Sequence, residues 1–148
     1  MSGLIHFFPE SAFHIFDSVD DWQQAIDLVT MPLLENGKIE ARYSSAIKAS
    51  TLELGPYYLL GAGVAMPHAR PEEGVIETAL SLALVRRGVD FGPDSEPVTL
   101  LICLAAKDSD SHIYAIQALC EMLSDEDVIQ EINNAKDVSA LKEIIRRY

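Results

Sequence analysis

The chain has 148 residues, 49% of them hydrophobic, the size of one domain with a full core. Lys and Arg number 11 against 23 Asp and Glu, for a net charge of -12. That balance argues against nucleic acid or an anionic membrane as partner. It permits docking on basic protein surfaces, and solubility alone also accounts for it.

The first segment carries His6 and His14 among Phe7, Phe8 and Phe13, and reads as packed or partly exposed aromatics. No basic stretch there leads into a long apolar one, so no signal peptide is expected and the chain reads as soluble and cytoplasmic. Asp17 or Ser18 is placed to cap a helix bearing Trp22, Ile26, Val29 and Leu33 at helical spacing. Pro32 should kink or interrupt this helix, and Gly37 ends it. A second helix is predicted over 40–54, stopped by Gly55-Pro56. Residues 57–60 read as a short strand, and 64–66 as extended chain running into His68.

Residues 78–85 read as a buried strand, followed by a solvated turn at Arg86-Arg87-Gly88. The apolar run over 98–106 is the strongest strand signal and suits a central strand covered on both faces. It is far too short to cross a bilayer. A polar loop over 107–111 leads to a helix over 112–124, with Ile113, Ile116, Leu119, Cys120 and Leu123 as its apolar stripe. Helices over 126–133 and 138–147 close the chain. Cys103 and Cys120 read as reduced core residues, and no Cys-x-x-Cys or metal-cluster spacing occurs. Helices alternating with buried strands define an α/β domain, and short connections allow antiparallel pairs in a mixed sheet.

The densest chemical signal is Gly61-Ala62-Gly63-Val64-Ala65-Met66-Pro67-His68-Ala69-Arg70-Pro71-Glu72-Glu73-Gly74. Glycines and prolines frame a shaped loop, and the residue before Pro67 is held extended. His68 is thereby presented at a strand end, where an imidazole serves as nucleophile, base or ligand. His112 follows the strongest strand and opens a helix, whose N-terminus has unpaired N–H groups suited to phosphate. The alternative is that Asp110 or Ser111 caps that helix and His112 is a solvated first-turn residue.

Sites in open α/β sheets gather beyond the carboxyl ends of strands, so the two histidines can face each other. With Arg70 as a cation, the set suits a covalent phosphohistidine: one ring nitrogen attacks phosphorus while a hydrogen bond fixes the other. No Walker loop, kinase glycine loop or carboxylate cage for magnesium is present, so phosphate is expected from another protein. Zinc on the same histidines with Glu72 or Asp110 is a competing reading, although no compact metal spacing occurs. A serine hydrolase lacks its Gly-x-Ser-x-Gly elbow. Glu72-Glu73 orients Arg70 or faces water.

The stretch over 55–74, with Pro67-His68-Ala69-Arg70-Pro71-Glu72, closely resembles the active-site region of enzyme IIA domains. These belong to the bacterial phosphoenolpyruvate-dependent sugar phosphotransferase system, mannitol/fructose class, and the string looks most like the ascorbate-type branch. Residues 106–119, around His112, resemble the family's second histidine and its helix. The resemblance runs from about Trp22 to the C-terminal helix. It implies one domain over 1–148, with a mixed central β-sheet and helices packed on both faces.

The resemblance also implies that His68 is the phosphoryl carrier, a tele-phosphohistidine charged by phosphorylated HPr and discharged to a cysteine of the IIB component. The membrane IIC permease is then an indirect partner. His112 is expected to orient or stabilise the phosphoryl group, and no metal or organic cofactor is needed. Two departures stand out. Mannitol-type members usually carry Gly after the active histidine, where this chain has Ala69. They also carry an arginine on the preceding helix, where Lys48 is near but Ser50 and Thr51 fill the plausible positions. Arg70 is expected to supply that cation. The competing role is a regulatory IIA-like phosphoacceptor signalling to a transcription regulator or transporter. A IIA domain touches no sugar, so the substrate stays unread, and the oligomeric state stays open between monomer and homodimer.

Overall fold

The computed structural model describes residues 3–108, 110 and 112–148. A 3-10 turn at Leu4–Phe7 leads into a four-residue strand, β1 (Phe13–Phe16). Helix α1 (Trp22–Glu35) follows, buried through Ala25, Ile26, Val29 and Leu33. Its cap is Asp21, not Asp17 or Ser18: the Asp21 carboxylate accepts from the Gln24 N–H at 2.8 Å, and the Gln24 side chain accepts from the Asp20 N–H at 2.6 Å. Pro32 does not interrupt the helix, which runs on to Glu35. It stands near the end, where few later turns depend on it, and in the turn before it the buried Ser81 hydroxyl donates to the Val29 carbonyl.

Helix α2 (Ala41–Leu54) buries Tyr43, Ile47 and Thr51, one residue per turn, and ends at Gly55, whose φ of 82° favours glycine. Strands β2 (Leu59–Gly61) and β3 (Val64–Ala65) form a tight antiparallel pair. The two long strands are β4 (Ala79–Val89) and β5 (Val98–Ala105), both almost wholly buried. Helices α3 (Ile113–Leu123), α4 (Glu126–Asn133) and α5 (Val138–Ile145) complete the chain.

The five strands form one mixed sheet in the order β1-β4-β5-β3-β2. β1 runs parallel to β4, β4 antiparallel to β5, and β5 parallel to β3. The sheet is covered on both sides. One core packs Leu80, Leu82, Leu100 and Ile102 against the last three helices and the N-terminal turn. The other packs Ala83, Val85, Leu101 and Cys103 against α1 and α2. Alternate residues of β4 and β5 serve the two cores, which is why both strands read as continuous apolar runs.

Two expectations for β4 are corrected. Arg86-Arg87-Gly88 is not a hairpin turn but a bulge within β4: pairing advances from Leu84↔Leu100 to Val89↔Val98, five residues against two. Gly88 adopts a φ of 77°, and a Cβ there would lie 3.0 Å from Pro97 Cβ, so the strand swells at a residue only glycine fits. The reversal comes later, at Gly92 to Ser95. Nor is Arg86 simply solvated, because its guanidinium donates to the Asn133 and Ala135 carbonyls at 3.1 and 2.7 Å, covering the C-terminal end of α4.

Helix α3 buries only part of its expected stripe: Leu119 is fully buried, and Ile116 and Leu123 pack half-buried at the edge of the core. Ala115, Ala118, Leu119 and Met122 are buried, whereas Ile113 is exposed. Cys120 is likewise exposed, not a core residue, while Cys103 is fully buried in β5; both are free thiols. α3 packs closest to α4 and the N-terminal turn.

Candidate functional site

β3 and β5 run parallel and side by side, so their carboxyl ends open on the same edge of the sheet. The ladder continues one step past β3, where the Leu104 N–H donates to the Pro67 carbonyl at 3.1 Å. His68 is the next residue. From the neighbouring strand, the chain passes through Asp108 to His112, the residue before α3. His68, Arg70 and His112 line one cleft of about 680 Å³, with Ser50, Tyr57 and Ile116 among its other walls. The topology therefore brings together the three residues singled out in the sequence.

Both imidazoles are half-buried and held alike. His68 Nδ1 lies 2.8 Å from the Met66 carbonyl oxygen, and His112 Nδ1 lies 2.7 Å from that of Asp108. A carbonyl only accepts, so each Nδ1 carries a proton, and each Nε2 is the ring nitrogen left for chemistry at the cleft. His112, not Asp110, occupies the cap position of α3, without a side-chain cap bond, and Ser111, the other expected cap, lies outside the described residues.

The loop around His68 is fixed by two tyrosines that the sequence reading passed over. Tyr43, fully buried in α2, donates to the Leu104 carbonyl at 2.8 Å and accepts from the Ala69 N–H at 3.0 Å. Burial pushes its phenol well above the ordinary range. Tyr57 donates to the His68 carbonyl, and its ring meets the imidazole at 88° with centroids 5.4 Å apart. The only sequence signal for either was a tyrosine at the buried spacing of a helix, or beside a Gly-Pro stop.

The cations sort by their partners. Lys48 pairs with Asp27 at 2.8 Å and does not line the cleft. Arg42 donates to the Glu40 carboxylate at 3.1 Å and to the Glu72 carbonyl at 2.9 Å, bracing the loop from behind. The Arg70 guanidinium is exposed at the cleft wall and makes no hydrogen bond or ion pair among the described residues. Glu72 and Glu73 do not orient it through an ion pair among those residues. Thr51 turns away from the cleft to the Tyr58 hydroxyl at 2.8 Å, while Ser50 lines it. Among the described residues, no three His, Cys, Asp or Glu side chains form a group able to hold a metal ion. No helix of the described residues is long and apolar enough to cross a membrane.

A sheet with two Nδ1-anchored histidines at neighbouring parallel strand ends suits a phosphohistidine-type phosphotransfer protein. The chain belongs to the EIIA 2 family of the phosphoenolpyruvate-dependent sugar phosphotransferase system, whose model matches residues 6–148. It is thus a phosphohistidine-carrier component of that system. A mannitol-specific cryptic phosphotransferase enzyme IIA component of Escherichia coli K12 is 48% identical over 144 residues, covering 97% of this chain and 98% of that one. The solution structure of the mannitol-specific cryptic enzyme IIA CmtB from Escherichia coli superposes with a TM-score of 0.94 at 47% identity, covering 99% of this chain and 100% of the other.

An ascorbate-specific EIIA component of Escherichia coli K12 is 32% identical over 130 residues, covering 86% of this chain and 84% of the other. The IIA chain in a complex of enzyme IIAMTL with phosphorylated enzyme IIBMTL from Escherichia coli matches with a TM-score of 0.81 at 25% identity, covering 95% and 98%.

The expected ascorbate branch is therefore corrected: the chain is nearer the mannitol-specific component. The branch reading rested on six residues, 67–72, of a loop that handles a phosphoryl group. Such a loop carries little information about a sugar it never touches.

Proposed function

We propose that this protein is a cytoplasmic IIA carrier of a mannitol-type phosphotransferase system, with His68 as the phosphoryl-bearing residue. The observation that carries the proposal is the Met66 carbonyl on His68 Nδ1, which leaves Nε2 as the nucleophile at the cleft. The Nε2 lone pair attacks the phosphorus of phosphorylated HPr. The donor's P–N bond breaks with its electron pair returning to the donor imidazole, and a P–Nε2 bond forms. Positive charge on the His68 ring is relieved through the Nδ1–H to Met66 bond. A cysteine thiolate of a IIB component then attacks phosphorus, and Nε2 leaves with the P–N pair. The IIC permease enters only beyond that step.

His112 and Arg70 supply charge to the phosphoryl oxygens. His112 Nδ1 is committed to Asp108, so it donates through Nε2 when that nitrogen takes a second proton. No bound metal or organic cofactor takes part in either transfer. The IIAMTL–IIBMTL complex supports a IIB partner for this chain. The test is reconstitution: protein charged by HPr is mixed with a mannitol-type IIB, and its phosphoryl group should pass to the IIB cysteine. Retention of phosphate on the charged protein with that acceptor would count against the transport role and favour the regulatory one.

A further inference from the structure

Phosphoryl transfer needs the reacting nitrogen aimed within a fraction of an ångström, so the supports of His68 matter as much as His68 itself. Pro67 is held by the Leu104 N–H, and Ala69 by Tyr43. Between them, the His68 carbonyl is held by the Tyr57 hydroxyl. The same side chain lays its ring perpendicular to the imidazole, 5.4 Å away, so it holds His68 at both backbone and ring.

Tyr57 is itself rigidly backed. Its ring packs edge-on against Tyr58 at 4.9 Å, and Tyr58 is buried and hydrogen-bonded to Thr51 of α2. Its N–H donates to the Gly55 carbonyl at 2.8 Å, at the stop of that helix. α2 thus reaches His68 itself through an aromatic relay, while Arg42 and Tyr43 of the same helix hold the flanking loop at Glu72 and Ala69, and Lys48 is spent on Asp27. Tyr57 keeps 42% exposure at the cleft wall, where an aromatic ring contributes little to the core.

We propose that Tyr57 is a positioning residue for phosphotransfer, clamping the His68 carbonyl and imidazole so that Nδ1 stays on Met66 and Nε2 stays aimed into the cleft. The inference rests on the carrier reading above. Tyr57→Phe keeps the ring and removes the hydroxyl; Tyr57→Leu removes both. Two quantities are read: steady-state transfer from phosphorylated HPr, and the imidazole nitrogen NMR spectrum of His68 in unphosphorylated protein.

For Tyr57→Phe the expected result is a kcat lower by about tenfold at unchanged KM, with a larger loss for Tyr57→Leu. The His68 nitrogens should also move from a fixed Nδ1–H pattern toward the average of two exchanging tautomers. An unchanged imidazole spectrum overturns the proposal, whatever happens to the rate, and so does an effect confined to KM. The spectrum needs no phosphoryl donor. If wild type takes no phosphoryl group, the carrier reading fails by itself, and the spectra still decide whether Tyr57 positions His68.

Discussion

His68 and Met66 are joined by a hydrogen bond of 2.8 Å from ring Nδ1 to main-chain carbonyl, across the intervening Pro67. Pro67 biases Met66 away from helical and toward extended backbone, and the Met66 carbonyl faces the ring two residues on. Proline, tautomer and nucleophile are thus one local arrangement. His112 repeats the outcome by a different route, through the Asp108 carbonyl four residues earlier.

Replacing His112 should slow the chemistry and spare the fold. His112→Ala is expected to lower the rate of transfer from phosphorylated HPr by about a hundredfold, the usual scale for losing one donor to developing charge. Thermal unfolding should stay near wild type, because the ring sits at a helix entrance and not in either core. A wild-type rate would remove His112 from the reaction.

Arg70→Ala tests whether a cation at the cleft wall substitutes for the helix arginine of mannitol-type members. The expected outcome is slower transfer, by about tenfold, with no loss of stability. Arg70→Lys should restore part of the rate, since charge is kept and the planar fork is lost. Indistinguishable kinetics in stopped-flow transfer would rule this role out.

Tyr43→Phe should be felt as instability. The hydroxyl serves the Leu104 carbonyl and the Ala69 N–H inside the protein, and its removal leaves both short of a partner. A loss of about 1–3 kcal/mol in denaturant unfolding is expected. A variant as stable as wild type would mean that water replaces the hydroxyl at no cost.

Alkali should destabilise the fold through Tyr58. Burial pushes its phenol up to about 12, against about 10 in an unfolded chain. The unfolded state therefore releases its proton first. Stability is fully present below pH ~10 and falls as pH rises through about 12. Denaturant midpoints measured across this range, with tyrosinate absorbance followed in parallel, should fall together with delayed ionisation. A flat midpoint would contradict the assignment.

Much of the architecture was legible because local and long-range signals agreed. α2, α4 and α5 stand within a few residues of their expected ranges, and β5 is the central strand its apolar run indicated. β1 was invisible: Phe13–Phe16 is four residues long and owes its strand state to parallel pairing with β4, some seventy residues away. Arg86-Arg87-Gly88 misled because a glycine after two arginines marks a bulge as readily as a turn. Only the neighbouring Pro97 decides between them.

At the site, His68, His112 and Arg70 announced themselves by motif. Tyr43 and Tyr57 did not, because a hydroxyl's partner across the fold leaves no trace in nearby sequence. The ascorbate branch was overread for the complementary reason, since a short loop string reports the phosphoryl group and not the sugar.

The most direct test charges the protein with phosphoenolpyruvate, enzyme I and HPr, and examines the product by phosphorus NMR beside His68→Ala. The account predicts an acid-labile phosphoryl group on Nε2 of His68 that is absent from the variant. An adduct that survives in His68→Ala, one on Nδ1, or none on folded wild-type protein would contradict it.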